Sequence, residues 1–318
     1  MVFDAVKTAR HRPRMPRPEP SLADLGEDCL VAALTRRLTL GEDVRAGAGD
    51  DCAVIGRPRD ARWQLLKTDV VIEGVHFLPE EEPGRVGWKA LARAVSDIAA
   101  MGGTPAHALI TLAARPETPA SHVEALYTGL RKAARKFGVS IVGGETSRSP
   151  GPLFLNVALT GWVERARCVF RSGGRPGDAL YVTGRLGGSI HGRHLDFMPR
   201  LAEARWLTTH FKIRAMMDLS DGLGADLPRL AAASHCEFQV RRERLPCAPG
   251  CAAAQAWSDG EDYELLFAIA PRDSAGLESA WRKRFPRLPL TRIGSLTKPR
   301  SKNSGGQSTG GYDHFAKP

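Results

Sequence analysis

Apolar side chains recur at helical spacing over residues 27–38, where Leu30, Val31, Leu34 and Leu38 share one face. Short, β-rich apolar runs at 51–55 and 63–72 predict strands. Over 86–101, Leu91, Val95 and Ile98 mark one side of a second helix, with Ala94 and Met101 beside it. Gly102 and Gly103 end that helix. A strand is predicted at 106–113, a helix from Pro119 to about Phe137, and strands at 139–142 and 153–163. The Arg- and Gly-rich segment 164–178 separates these from a second series. That series has a strand at 179–183, a Gly-rich turn, a helix near 223–234 and strands near 236–240 and 263–270. A helix near 273–284 and a short strand at 289–293 complete it, and 297–311 reads as a linker. Strands and helices mix without strict alternation, which predicts an α+β fold rather than a doubly wound sheet.

The chain has 318 residues, enough for two domains. We place a basic, disordered tail at 1–20, an N-terminal domain at 21–165 and a C-terminal α+β domain at 166–318. Apolar residues make up 42% and charged residues 25%, the balance of a folded globular chain. No run of eighteen uncharged apolar residues occurs, so no membrane span or membrane partner is expected. The first twenty residues lack the apolar segment of a secretory signal. Six cysteines without a Cys-x-x-Cys pair point to free thiols in a reducing cytoplasm.

The net charge of +10 raises the possibility of a nucleic-acid partner, but its distribution argues against one. Lys7, Arg10, Arg12, Arg14 and Arg17 against Asp4 and Glu19 leave the first twenty residues at net +3. Lys298, Arg300, Lys302 and Lys317 against Asp313 leave residues 296–318 at net +3. Charge runs in such tails are commonly solvated. A nucleic-acid-binding protein using these tails remains the alternative of a different class, and it predicts salt-sensitive RNA binding.

The interior instead carries acidic clusters flanked by Gly or small residues: "GAGDDCAVIG" at 47–56, "KTDVVIEGVHF" at 67–77, "AVSDIAAMGG" at 94–103, "VGGETSRSPG" at 142–151 and "MMDLSDGLGADL" at 216–227. Any one is ordinary turn chemistry. Five together, with Asp51 at the start of an apolar strand, Asp69 within another and Asp97 beside an apolar helix face, require compensation if they converge. Lys67 and Arg148 are the few basic residues inside these clusters. A hard divalent cation such as Mg²⁺ is the economical partner. The spacing of Asp218 and Asp221 predicts that a helical turn points both the same way.

No P-loop and no protein-kinase motif set occurs. The turn "TGRLGGSIHG" at 183–192 reads equally as a tight connection or a substrate loop. Arg171 in "FRSGG" has a fork suited to phosphate. His191 and His194 lack the partners of a zinc site.

The ordered set "GDDCAVI", "KTDVVIEGVHF", "KALARAVSDIAAMGG", "GGETSRSPG", "RSGGRPGD", "YVTG", "MMDLSDGL", "GEDYELLF" and a terminal "GYDHF" resembles the thiamine-monophosphate kinase family and covers most of residues 26–315. The resemblance implies ATP-dependent phosphorylation of thiamine monophosphate to thiamine diphosphate. It implies the aminoimidazole ribonucleotide synthetase-like fold of two α+β domains, dimeric through a sheet or barrel of the N-terminal one. By the same resemblance Asp51, Asp69, Asp97, Asp218 and Asp221 would ligate Mg²⁺, with Asp50 and Thr68 nearby, and Asp97, Asp218 and Asp221 would be essential for turnover. Arg171, Ser220 and Gly144 would contact ATP. His76, Glu261 and Tyr312 would meet thiamine monophosphate, Tyr312 by lying against its ring. The family usually has "GGDT" where this chain has "GGET", so Glu145 stands as a longer metal ligand.

The acceptor in such a reaction is already an anionic phosphate, so no general base is expected. Direct in-line transfer without a phosphoenzyme follows. Superfamily alternatives are aminoimidazole ribonucleotide synthetase, selenophosphate synthetase and the hydrogenase-maturation dehydratase. The second would need a reactive cysteine before Cys29, and the third a C-terminal cysteine where this chain ends "FAKP".

Overall fold

A computed structural model describes residues 19–299 and 310–315. Most of the tail predicted at 1–20 and most of the linker predicted at 297–311 lie outside these residues. Contacts divide the chain into two units. One comprises residues up to Leu38 together with those from Asp313 onward, and the other is Thr39–Tyr312. The boundary expected near 164–178 therefore falls inside the larger unit, between two sheets.

In the smaller unit, α1 (Leu22–Leu25) leads into α2 (Glu27–Thr35). Asp313 Oδ2 accepts from the Glu27 amide at 3.3 Å.

In the larger unit the first sheet contains β1 (Val44–Ala46), β2 (Ala53–Ile55), β3 (Arg62–Ile72), β4 (Thr104–Ala114), β5 (Ser140–Arg148) and β6 (Phe154–Glu164) in the order β1-β2-β3-β6-β4-β5. Only β4 and β5 pair in parallel. Helices α3 (Pro83–Ala100) and α4 (Ala120–Phe137) cover one face. Strand alternation sends Leu65, Val71, Ile110, Leu155 and Val157 into that core. Leu109 and Val142 face outward and are 50% and 59% exposed.

Gly144 fits the parallel pair because a Cβ there would lie 1.8 Å from the Ile110 carbonyl oxygen. Gly144→Ala is expected to force β5 from β4 and cost about 2–3 kcal/mol, read as a lower denaturant midpoint.

The second sheet contains β7 (Ala179–Thr183), β8 (Ile213–Asp218), β9 (Glu237–Val240), β10 (Leu265–Ile269) and β11 (Leu290–Thr297). Its order is β8-β10-β7-β11-β9, antiparallel throughout. Helices α5 (Arg193–Asp196), α6 (Leu201–His210), α7 (Leu223–Ala233), α8 (Ala253–Ser258) and α9 (Ser274–Arg284) accompany it. β7 and β10 are buried on both faces. Leu180, Val182 and Leu266 pack with residues of α7 and α8, while Tyr181, Phe267 and Ile269 pack with residues of α6 and α9. The mixed layers agree with the α+β expectation.

Helix α3 touches both sheets. Glu82 caps it by accepting from the Gly84 and Arg85 amides, with Pro83 at its first turn. Its buried length carries a polar row, Lys89, Arg93, Ser96 and Asp97, at helical spacing. That row faces the candidate site.

Candidate active site

Three carboxylates from distant segments converge. Asp51 precedes β2, Asp97 lies on α3 and Asp218 ends β8, and one oxygen of each lies within 4.8 Å of the others. All three residues are buried. Packing like charges in this way is unfavourable unless cations offset it.

The protein supplies some of that cation. Lys67 Nζ lies 2.8 Å from Asp97 and 3.7 Å from Asp69. Arg171 donates to Asp51 at 2.5 and 3.2 Å, and its backbone amide donates to Asp50 at 3.1 Å. Ser96 donates to Asp218 at 2.5 Å. The compensation is incomplete. Burial, with the charge of Asp51, raises the Asp218 carboxyl from 3.8 to about 7 despite Ser96, Lys67 and Arg171. Burial raises Asp97 well above its ordinary value. Burial and Asp51 raise Asp50 to about 7. At Asp69 the effect of burial is outweighed by Lys67 and Arg93, so its carboxyl is lowered. Among the described residues, Asp51 Oδ2 is buried with no hydrogen-bond partner. Burial also raises the Cys52 thiol, which argues against a thiolate nucleophile beside the cluster.

Asp218 and Asp221 are not on one helical turn. The chain leaves β8 at Asp218 and turns before α7, and Asp221 is not one of the three grouped carboxylates. Asp221 Oδ2 accepts from Arg229 at 2.5 Å. Buried Asp226 fixes this turn by accepting from the Ser220 and Asp221 amides, each at 3.1 Å. Gly222 has φ +97, and a Cβ there would meet the Asp259 and Ser258 carbonyl oxygens at 2.8 and 2.9 Å. Tyr312, an exposed residue, reaches the same turn through its amide, 2.9 Å from the Asp221 carbonyl oxygen.

Of the other expected ligands, Asp69 adjoins the group through Asp97 and their shared Lys67, whereas Thr68 and Glu145 do not join it. Thr68 lies between Lys67 and Asp69 on β3, so alternation turns its hydroxyl to the opposite face, where it bonds Asn156 at 3.0 Å. Glu145 is exposed on β5 beside Gly144. Asp50 holds the Arg171 amide, and Asp69 flanks Lys67.

A second polar cluster gathers His76 and Glu261. Fully buried Lys89 donates to the His76 carbonyl oxygen at 2.5 Å and to Glu261 at 2.7–2.8 Å, and lies 2.7 Å from His194 Nδ1. Burial lowers Lys89 to about 8. Burial would raise Glu261, yet His194 and Lys89 bring it down to about 2. Glu261 and Tyr263 have φ of 60° and 51°, uncommon for residues with a side chain. Such backbone is retained where surrounding contacts impose it. Here the Glu261 and Tyr263 amides bond the Ser220 and Leu219 carbonyl oxygens. Arg93 interacts electrostatically with Asp69, Asp97 and Glu261, linking the two clusters.

The Gly-rich turn is a clamped connection. Asp262 accepts from the Gly187 amide and Asp259 from the Gly188 amide, at 2.9–3.0 Å. Those amides are therefore already engaged. Lys89, Arg93, Ser96, His194, Asp226 and Arg229 had no assigned role at the level of sequence. Helical periodicity running from Asp97 back through Arg93 to Lys89 was the available signal for the α3 residues.

Two sheets and a buried carboxylate cluster of this arrangement define an AIR synthase-related protein. The family model described as AIR synthase related protein, N-terminal domain, matches residues 49–163. Thiamine-monophosphate kinase of Rhodopirellula baltica is 38% identical over 288 residues, covering 85% of this chain and 89% of that protein. The Escherichia coli K12 enzyme of that name is 32% identical, covering 92% and 99%. The solved complex of AaThiL with AMPPCP and TMP has a TM-score of 0.79 at 31% identity, covering 94% of this chain and 100% of that one. The hydrogenase maturation protein HypE of E. coli, at 21% identity and TM-score 0.64, shares the fold alone. The chain belongs to the thiamine-monophosphate kinase family.

Proposed function

We propose that this chain phosphorylates thiamine monophosphate to thiamine diphosphate with ATP as the phosphoryl donor. Kinship over nearly the full chain, joined to the Asp51–Asp97–Asp218 cluster, carries this reading. A related protein binds AMPPCP together with TMP, which supports ATP as co-substrate.

The donor set fits Mg²⁺: all-oxygen, anionic, incompletely neutralised and holding the partnerless Asp51 Oδ2. Asp51, Asp97 and Asp218 would hold the ion, with Asp69 alongside. When bound, Mg²⁺ neutralises phosphate charge and orients phosphoryl oxygens. The chain's own residues do the rest by positioning. Arg171, now on Asp51, offers its fork to ATP, and Ser220 lies in a turn held rigid by Asp226. His76, Glu261 and Tyr312 hold thiamine monophosphate, with Lys89 and His194 fixing Glu261. The acceptor phosphate needs no deprotonating residue, which favours direct in-line transfer.

Exposed Leu109 and Val142 on the outer face of the first sheet favour a homodimer through that face. Among the described residues no helix is long and apolar enough to cross a membrane. We place the protein in the cytoplasm, where its free cysteines would remain reduced.

Purified protein given ATP, Mg²⁺ and thiamine monophosphate should form thiamine diphosphate without a phosphorylated protein intermediate. Absence of thiamine diphosphate would sink the kinase reading, and a chase-competent phosphoprotein would sink direct transfer.

A further inference from the structure

We propose that the β9–β11 edge of the second sheet carries a separate anion site suited to a compact diphosphate group. The pairing of β11 with β7 shifts register between Arg292 and Gly294. Such a bulge bends a strand and re-aims its side chains. Beside it lies a cavity of about 220 Å³, lined by Gln239, Arg241, Arg244, Arg292 and the Ile293–Ser295 stretch.

No acidic residue lines this cavity, and its three arginines are exposed. Among the described residues none of the three has a carboxylate partner. Elsewhere Arg171, Arg193, Arg200, Arg214 and Arg229 each pair with a carboxylate. Neighbouring Arg242 is also committed, with its guanidinium 4.4 Å from the Trp257 ring centroid. Three guanidinium groups around one small cavity repel each other, and an anion seated among them would relieve that repulsion. Their planar forks match phosphate oxygens in pairs.

Size narrows the ligand class. Sites for whole drug-sized ligands run from about 300 Å³ upward. This smaller cavity suits a diphosphate group, with any organic remainder left outside. The site is separate from the carboxylate cluster. β8, which ends in Asp218, and β9 are opposite edges of a five-stranded sheet. Four inter-strand steps put them roughly 19 Å apart. The inference therefore does not depend on the kinase reading.

The test is calorimetric titration of the full chain with sodium pyrophosphate at low ionic strength, without divalent metal. Saturable binding is expected. Arg244→Ala and Arg292→Ala should each weaken it at least about tenfold, as expected for loss of a charge-assisted contact. Asp218→Asn should bind like the parent. Orthophosphate should bind at least about tenfold more weakly than pyrophosphate. Absence of saturable binding, or arginine variants that bind like the parent, would overturn the site. Orthophosphate binding as tightly as pyrophosphate would overturn its assignment to a diphosphate group.

Discussion

Asp218→Asn is expected to lower kcat by at least about 10³-fold while leaving the fold intact and more stable. Loss of one anionic metal ligand removes several kcal/mol of charge stabilisation from the transferring phosphoryl group. The stability gain has a separate origin. Asp218 is buried beside Asp51, and its carboxyl titrates at about 7 in the folded chain against an ordinary 3.8. The native state therefore holds this proton more tightly than the unfolded chain does. Ionisation costs stability, and the cost is fully present above about pH 7. It fades as pH falls from about 7 towards 4. Without divalent metal, the variant should exceed the parent by on the order of 2 kcal/mol at pH 8, with the gap narrowing steadily below about pH 7 and closing only near pH 4. Thermal melts across that range check the sign. A variant less stable than the parent at pH 8 would contradict the picture of crowded, under-compensated carboxylates.

Lys67→Met should have the opposite effect on stability. Lys67 is the cation shared by Asp69 and Asp97. Removing one partner of a largely buried ion cluster leaves uncompensated charge and costs about 3–5 kcal/mol. Added Mg²⁺ should restore part of that loss, because a bound ion stabilises the native state by mass action. The Mg²⁺-dependent rise in melting temperature should thus be larger for the variant than for the parent. An equal or smaller rise would show that Lys67 does not share its carboxylates with a metal.

Much of the fold was legible from periodicity. The pattern from Leu91 to Ile98 marked α3, and the run to Phe137 marked α4. Strand β8 was missed. "IRAMMD" is buried at five of its six positions, so it shows no alternation to read. That omission led directly to the helical-turn expectation for Asp218 and Asp221. α6 was missed because only Ala204 and Leu207 of its ten residues are buried, too few for a clear apolar stripe.

The site was legible as a set of acidic turns, but its cations were not. Lys89 and Arg93 sit in a helix whose apolar neighbours dominate the pattern. Only tertiary structure shows Lys89 satisfied by Glu261, His194 and the His76 carbonyl oxygen. Thr68 illustrates the converse. Sequence adjacency to Asp69 cannot bring it to the same face of a strand.

The central claim is that Asp51, Asp97 and Asp218 together hold the divalent ion used in phosphoryl transfer. Mn²⁺ titration followed by electron paramagnetic resonance, in the presence of a non-hydrolysable ATP analogue, tests it most directly. The parent should bind Mn²⁺ saturably, and Asp51→Asn, Asp97→Asn and Asp218→Asn should each weaken binding at least about tenfold. Parent-like Mn²⁺ affinity in all three variants would contradict the claim.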